Sequence, residues 1–334
     1  MLKHYTIPIF IPELACPFQC VFCNQQKISG HRHIPDEAEI RQIIQKHLKS
    51  FKQNERVVEV GFFGGSFTGI PPEEQRHFLT AVQSFLDNGE VQAIRLSTRP
   101  DYISKEILEL LKMYRVTTIE LGAQSMDEEV LLKSYRGHTA RQTEKASEMI
   151  LHQGFWLGLQ MMIGLPGDTL EKSLFTARRI IELGASNTRI YPALVIKDTA
   201  MHRWYEQGNY TPLSMEEAIQ WTAQILPLFE EAEVKVLRVG LHPSEGLLSG
   251  HELVAGPFHP SFKELVLTEI WHDKLQSLMA ETGEKLTLFV PEKELNYAVG
   301  YEGRNKKMLQ AYFKEVKLIP KPSLKNREFS WSVS

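Results

Sequence analysis

The three cysteines of this 334-residue chain all lie near its N-terminus, in the segment "ACPFQCVFC". Cys16, Cys20 and Cys23 are spaced C-x3-C-x2-C. Cysteine binds metals as a thiolate, and three thiolates on one loop suit a soft metal or an iron–sulfur cluster. A [4Fe–4S] cube takes four ligands, so three thiols would leave one iron open to a ligand from outside the protein.

A closed zinc site is the alternative for this motif, because structural zinc takes four protein ligands and His31 or His33 could be the fourth. An odd number of cysteines without an export signal argues against a disulfide framework. The first residues are broken by Pro8 and Pro12, and we identify no signal peptide in them. No apolar run reaches the roughly 18 residues of a membrane span. We therefore expect a cytoplasmic protein with no membrane partner.

The elements that must position these cysteines alternate between strands and helices. Strands are predicted near 6–11, 57–63, 92–97, 116–121, 156–163, 189–195 and 234–239, with helices near 36–50, 72–87, 104–113, 139–153, 169–183 and 215–232. Such alternation predicts a parallel sheet with helices outside it, here a partial (β/α)6 TIM-like barrel. Ligands of such sheets bind at the carboxyl ends of the strands.

Small and polar residues follow several of these strand ends. Gly64, Gly65 and Ser66 follow the second strand, Ser97 lies at the end of the third, Gln124 follows the fourth, Gln160 lies near the end of the fifth, and Tyr191 and Lys197 lie in and after the sixth. Glycine allows a ligand to approach the backbone closely. Each of these residues alone is an ordinary loop residue, but together at one rim of one sheet they indicate a binding site.

The cysteine spacing, with Phe22 directly before Cys23, resembles the radical S-adenosylmethionine (SAM) superfamily. The resemblance implies that Cys16, Cys20 and Cys23 hold a [4Fe–4S] cluster whose open iron binds SAM. It further implies that a reductant such as flavodoxin or ferredoxin supplies an electron that cleaves SAM to a 5′-deoxyadenosyl radical. Phe22 would line the adenine site.

The same resemblance assigns the polar residues at the strand ends. It implies that Gly64 and Gly65 hold the SAM amino group and that Gln124, Arg136 and Gln160 contact its ribose and carboxylate. Ser66 and Ser97 complete the predicted cofactor-binding set.

Within the superfamily, residues 5–240 resemble the radical SAM domain of the Elongator catalytic subunit and its short bacterial relatives. The motifs are "GGSF", "STRPDY", "ELGAQS", "YRGHT", "IGLPGD" and "RIYPALVIKDTAMHRWYEQGNYTPLS". This resemblance implies modification of RNA, specifically tRNA, with Tyr191 and Lys197 as candidate catalytic residues and Thr199 as a further substrate contact. We expect no acetyl-CoA domain, because no acetyl-CoA-type glycine-rich turn follows residue 250. The absence of further cysteines leaves direct hydrogen-atom abstraction as the expected chemistry.

The C-terminal segment is predicted to form a second, small α+β domain, at 249–334 after a barrel domain at 1–248. Its "GYEG" loop, Gly300 to Gly303, resembles the GxxG loop with which KH domains clamp single-stranded nucleic acid. Arg304, Lys306 and Lys307 would add positive charge there. The alternative is an ordinary helix cap.

Two other functions stay open at this point. One is a radical SAM oxidoreductase acting on a small molecule, similar to the oxygen-independent coproporphyrinogen oxidases, with the C-terminal segment as a lid. The other is a non-catalytic RNA-binding protein with structural zinc. The net charge of −3 excludes a uniformly basic nucleic-acid binder but allows a local basic patch.

Overall fold

The computed structural model describes residues 3–11, 20–24, 33–51, 56–241 and 244–334. In chain order its barrel part contains β1 (Lys3–Ile11), α1 (Glu37–Ser50), β2 (Arg56–Gly64), α2 (Pro72–Asp87), β3 (Ala93–Thr98), α3 (Lys105–Met113), β4 (Val116–Gln124), α4 (Glu128–Lys133), α5 (Ala140–His152), β5 (Trp156–Ile163), α6 (Leu170–Glu182), β6 (Asn187–Pro192), β7 (Val195–Ile196), α7 (Ala200–Glu206), α8 (Met215–Glu231) and β8 (Lys235–Val239). The C-terminal part contains α9 (Glu245–Leu248), β9 (Leu253–Ala255), α10 (Phe262–Leu275), β10 (Lys285–Val290), α11 (Leu295–Val299), α12 (Arg304–Gln310), β11 (Glu315–Pro320) and β12 (Ser330–Val333).

Seven parallel strands form one sheet in the order β1-β2-β3-β4-β5-β6-β8. The predicted fold class, a partial barrel with helices outside, is confirmed. Pro8 lies inside β1 without an amide to donate, which is tolerated because β1 is an edge strand. The predicted strand at 189–195 is too long. The chain leaves the sheet after Pro192, and Val195 and Ile196 instead pair antiparallel with β9.

The predicted helix starts have the expected caps. Asp36 forms a capping box with Glu39 at the start of α1, which satisfies amides that the first turn leaves without partners. Thr169 caps α6, and Pro72 occupies the first position of α2. These local signals explain why the predicted helices agree with the structure to within about one residue.

The helix α10 contributes to two hydrophobic cores. Its first half places Phe262 and Val266 in the main core between the sheet and its helices. Its second half places Trp271 and Leu275 in a smaller core with β10, α12 and β11. The predicted boundary between two domains at residue 248 stays a prediction. The helix α10, which follows this boundary, packs in both hydrophobic cores.

The C-terminal part forms a β-α-α-β unit with a three-stranded sheet in the order β11-β10-β12. Strands β10 and β11 are parallel, and β12, which was not predicted, pairs antiparallel with β10. Within the described residues, no helix combines the length and apolar content needed to cross a bilayer.

Candidate active site

A cavity of about 570 Å³ lies on the concave face of the seven-stranded sheet. The predicted site residues that line it are Phe22, Cys23, Gly64, Ser97, Gln124, Gln160 and Tyr191. A larger groove of about 1060 Å³ lies elsewhere, and the described residues that line it include none of the predicted site residues. The candidate site is therefore the smaller cavity.

The two described cysteines lie on a tight turn at one end of this cavity. The Cys23 amide donates to the Cys20 carbonyl at 2.9 Å, and the Val21 amide donates to the Ser134 carbonyl at 3.1 Å. Cys20 is buried and Cys23 is half-buried. Cys16, the third predicted ligand, lies outside the described residues. The turn thus brings two of the three predicted thiols to the carboxyl ends of the strands.

Arg136 connects this turn to β4. Its Nη1 donates to Cys20 Sγ at 3.2 Å and its Nη2 donates to the Gly122 carbonyl at 2.6 Å. A Cβ on residue 122 would lie 2.9 Å from both Arg136 Nη2 and Gln124 Nε2. A larger residue would require the ends of these two side chains to move, so Gly122 allows both of them to lie against the strand.

A bulge at the end of β4 directs Gln124 into the cavity. The pairing with β5 shifts register between Leu121 and Gln124, and Gln124 has a φ of 65°, which is uncommon for a residue other than glycine. Among the described residues, neither Gln124 Oε1 nor Arg136 Nε has a hydrogen-bond partner, although both atoms are buried. Buried polar atoms are rarely left unpaired. Together with the Cys23 thiol, Gln124 Oε1 fits a polar cofactor bound at this end of the cavity, next to Arg136, which does not itself line it.

The Gly64–Gly65 turn has a clear structural requirement. Gly64 has a φ of +113°, and a Cβ there would lie 2.3 Å from the Ile11 carbonyl oxygen. The Gly65 amide donates to the same oxygen at 2.9 Å. Ser66 is buried beside Thr98, 2.9 Å between hydroxyl oxygens, and does not line the cavity. The turn holds β1 against β2. Of the predicted residues Gly64, Gly65 and Ser66, only Gly64 lines the cavity.

Four charged residues that the sequence analysis did not select form a network across the sheet. Arg95 donates to Glu59 at 3.0 Å and to Glu120 at 2.6 Å, and Arg189 donates to Glu120 at 2.7 Å. Each residue stands alone as a charge inside an apolar strand: "VVEVG", "AIRLS", "TTIEL" and "NTRIY". That pattern could have identified them, because a single charge in each of four core strands must find its partners inside the barrel.

The network sets the protonation of its surroundings. Burial alone would raise the pKa of Glu120, but Arg189 and Arg95 outweigh it and hold that pKa below its usual range. Burial raises the pKa of the Tyr191 phenol, so Tyr191 is neutral at pH 7 and its hydroxyl can donate. Gln160 Nε2 donates to Glu120 at 2.7 Å and to Ser97 at 3.2 Å.

Some predicted residues do not reach the cavity. Lys197 is exposed, and its amide donates to the Glu252 carbonyl in the strand pair β7–β9. Thr199 caps α7. His33, one candidate zinc ligand, is exposed and bonds Glu39 at 2.8 Å. The other candidate, His31, lies outside the described residues.

The Gly300–Gly303 loop joins α11 to α12 in the C-terminal part. Gly300 has a φ of +87°, and a Cβ there would lie 2.8 Å from the Asn305 amide nitrogen. Gly303 also has a positive φ, +75°, but its side-chain space is open apart from Lys307 Cε at 3.8 Å. Gly300 is required by packing, whereas Gly303 faces open space.

The basic residues after this loop differ in their surroundings. Arg304 is bound to Glu269 at 2.6 Å. Within the described part of the chain, Lys306 and Lys307 form no ion pair, and Lys307 is exposed. The two lysines are therefore the available cations of this surface.

Comparison with known families identifies both halves of the main sheet. Residues 11–180 match the family model of the radical SAM superfamily, and residues 186–272 match that of the radical SAM C-terminal domain. The second match crosses residue 248 and includes most of α10.

Two curated relatives are similar to this chain in sequence, and one solved structure shares its fold. Elongator complex protein 3 of Dictyostelium discoideum is 27% identical over 201 residues, 54% of this chain and 36% of that protein. A tRNA uridine(34) acetyltransferase of Methanocaldococcus jannaschii is 36% identical over 132 residues, 38% of this chain and 24% of that protein. The structure of archaeal Elp3 from Methanocaldococcus infernus with an N-terminal deletion has a TM-score of 0.65 and 19% identity, covering 85% of this chain and 66% of that one.

These matches confirm the predicted resemblance to the Elongator-type branch. They also confirm the enzyme class, reductive cleavage of SAM, and the two predicted cofactors, a [4Fe–4S] cluster and SAM. The chain spans about a quarter to a third of the length of the two curated relatives.

Proposed function

Because the chain belongs to the radical SAM superfamily, we propose that it modifies tRNA by abstracting a hydrogen atom. The bound cluster and SAM supply the 5′-deoxyadenosyl radical for this step. The observation that carries the proposal is the meeting of Cys23, Gln124, Gln160 and Tyr191 in one cavity of about 570 Å³. The sheet forms one wall of this cavity and limits the access of solvent to a reactive radical.

The proposed roles combine what the family resemblance implies with the positions of the described side chains. Cys16, Cys20 and Cys23 hold the cluster, and Phe22 packs on the adenine. Gln124 and Arg136 hold the polar groups of SAM through Oε1 and Nε, two buried atoms for which the described residues supply no partner. Arg136 also positions Cys20, because its Nη1 donates to the Cys20 sulfur.

The substrate side of the cavity is formed by Tyr191 and the charged network, whereas Gln160 stays a proposed contact of SAM. Tyr191 is a neutral hydrogen-bond donor beside Arg189, and a nucleobase offers carbonyl acceptors that such a donor binds. The proposed catalytic residues do not include Lys197, because its side chain is exposed and does not line the cavity.

RNA as substrate is supported by two independent observations. The relatives include a protein named tRNA uridine(34) acetyltransferase. The Gly300–Gly303 loop places a glycine with open space next to Lys306 and Lys307, an arrangement that admits a phosphate. The proposed partners are therefore tRNA and a reductant such as flavodoxin or ferredoxin.

The test is anaerobic reconstitution followed by incubation of the reduced protein with SAM and bulk tRNA. We expect about four irons per chain, release of 5′-deoxyadenosine that increases with tRNA, and a new nucleoside in tRNA digests by mass spectrometry. Cys20→Ala is the control and should show neither product. Steady 5′-deoxyadenosine release with unchanged tRNA nucleosides would contradict the RNA assignment and favour a small-molecule substrate.

A further inference from the structure

The open side of the half-barrel is bordered by its two edge strands, β1 and β8. Both strands contribute side chains to the cavity. His4 and Thr6 come from β1, and Lys235 and Arg238 come from β8. Lys235 and Arg238 therefore line the cavity from one of the two strands that border its open side.

Arg238 is a half-buried cation without a carboxylate partner. Its Nε donates to the Gly240 carbonyl at 3.1 Å and its Nη2 to the Leu241 carbonyl at 3.3 Å. Within the described residues it forms no ion pair. Partial burial lowers the pKa of Arg238, and neighbouring Arg189 lowers it further. An uncompensated charge in such a place is costly, and an anion would relieve the cost.

The deeper arginines of the cavity are compensated. Arg95 is paired with Glu59 and Glu120, and Arg189 is paired with Glu120. Lys235 resembles Arg238, since it is exposed at the cavity edge and forms no ion pair with any described residue. The excess positive charge of the cavity therefore lies on the edge strand β8, where Arg238 is the register partner of Arg189.

We propose that Arg238 and Lys235 bind a backbone phosphate of the RNA, next to the nucleotide that enters the cavity. This inference rests on the proposed function. Guanidinium binds phosphate with two parallel hydrogen bonds, and such contacts fix the position of the strand without reading its sequence. A polynucleotide is favoured over a small anion because the cations border an open edge along which a chain can continue, with Lys3 exposed at the start of β1.

The experiment measures binding of bulk tRNA to the apoprotein by fluorescence anisotropy over a range of KCl concentrations. Arg238→Gln and Lys235→Gln should each weaken binding about tenfold and lower the slope of log K against log [KCl] by about one. Arg178→Gln is the matched control, because Arg178 is exposed on the outer helix α6. It should leave both quantities unchanged. Urea unfolding of each variant establishes that it is folded.

An unchanged salt slope in folded Arg238→Gln overturns the inference while the proposed function stands. Binding of uridine monophosphate that depends on Arg238, without any binding of tRNA, overturns the assignment to RNA backbone. Loss of 5′-deoxyadenosine formation in wild-type protein bears on the proposed function alone, because the binding assay needs neither cluster nor SAM.

Discussion

Arg136 Nη1 donates to Cys20 Sγ at 3.2 Å across 116 residues of chain. The same guanidinium donates to the Gly122 carbonyl. The backbone carbonyl of Arg136 accepts a hydrogen bond from the Arg99 side chain at 2.9 Å. One side chain therefore fixes the cysteine turn to the carboxyl end of β4. The position of a predicted cluster ligand depends on a residue that the resemblance assigned only to SAM.

Replacing Arg136 by Ala should destabilise the apoprotein by about 1–3 kcal/mol, because the buried Gly122 carbonyl loses its donor. Urea unfolding of the apoprotein measures this without any cofactor. Arg115→Ala, which removes an exposed pair with Asp87, is the control and should cost less than about 1 kcal/mol. Equal costs for the two variants would contradict a positioning role for Arg136.

Glu120→Gln should cost about 3–5 kcal/mol of unfolding free energy, because it leaves Arg95 and Arg189 buried with too little negative charge. Glu120 is 1% exposed, so water cannot compensate. Glu129→Gln removes an exposed carboxylate that also binds two lysines and should leave stability unchanged within error. Chemical denaturation of both variants at pH 7 measures the contrast.

Cys20→Ala and Cys23→Ala should each lose most of the iron and sulfide that wild-type protein takes up on anaerobic reconstitution. His33→Ala should keep the wild-type content, because His33 lies at the surface bound to Glu39. Metal analysis with low-temperature EPR distinguishes the cases. A single zinc per chain that is lost in His33→Ala would overturn the cluster assignment.

Asp168 gives the protein a pH dependence with a defined sign. Burial raises the pKa of its carboxyl from 3.8 to about 6, so between about pH 4 and 6 the folded state binds more protons than the unfolded state. Its contribution to stability is full below about pH 4 and falls as pH rises through 6. The difference in unfolding free energy between wild type and Asp168→Asn should fall over this window. A difference that rises over the same window would contradict the assignment.

The two loop glycines of the C-terminal part should respond differently to alanine. Gly300→Ala should destabilise the protein, since the new Cβ would lie 2.8 Å from the Asn305 amide nitrogen. Gly303→Ala meets open space and should cost only the roughly 1–2 kcal/mol of a left-handed backbone. Thermal unfolding measures both.

A folded Gly303→Ala variant then tests the RNA-binding role of the loop. It should bind bulk tRNA less tightly, with the loss comparable to that in Lys306→Ala/Lys307→Ala. Wild-type affinity in both variants would leave the loop as a helix connection only.

The strands, helices and rim of the site could be predicted because their signals are local. Asp36 and Thr169 mark helix starts through their own hydrogen bonds, and the cysteine spacing is a short motif. Lys197, a predicted catalytic residue, follows the sixth strand but is not among the residues that line the cavity. The sixth strand ends at Pro192, and the chain then turns to pair with β9, so that Val195 lies opposite Ala255, 60 residues further along the chain. No local sequence pattern predicts such a contact.

The Glu120 network was missed for a related reason. The paired residues of this network lie 25 to 69 residues apart in the chain, and only the parallel register of the sheet brings them together. Hydrophobic periodicity predicts which face of a strand is buried, but it does not predict which buried acidic side chain pairs with which buried basic one.

The sharing of α10 between two cores has a mechanical consequence. A continuous helix that is anchored at both ends in apolar packing does not act as a hinge, because bending it would break its hydrogen bonds and expose Trp271 or Val266 to water. An RNA bound by the Gly300–Gly303 loop would thereby be held at a fixed position relative to the barrel. Recognition would then select an RNA whose shape already fits this fixed arrangement, without a movement of the C-terminal part that closes on the RNA.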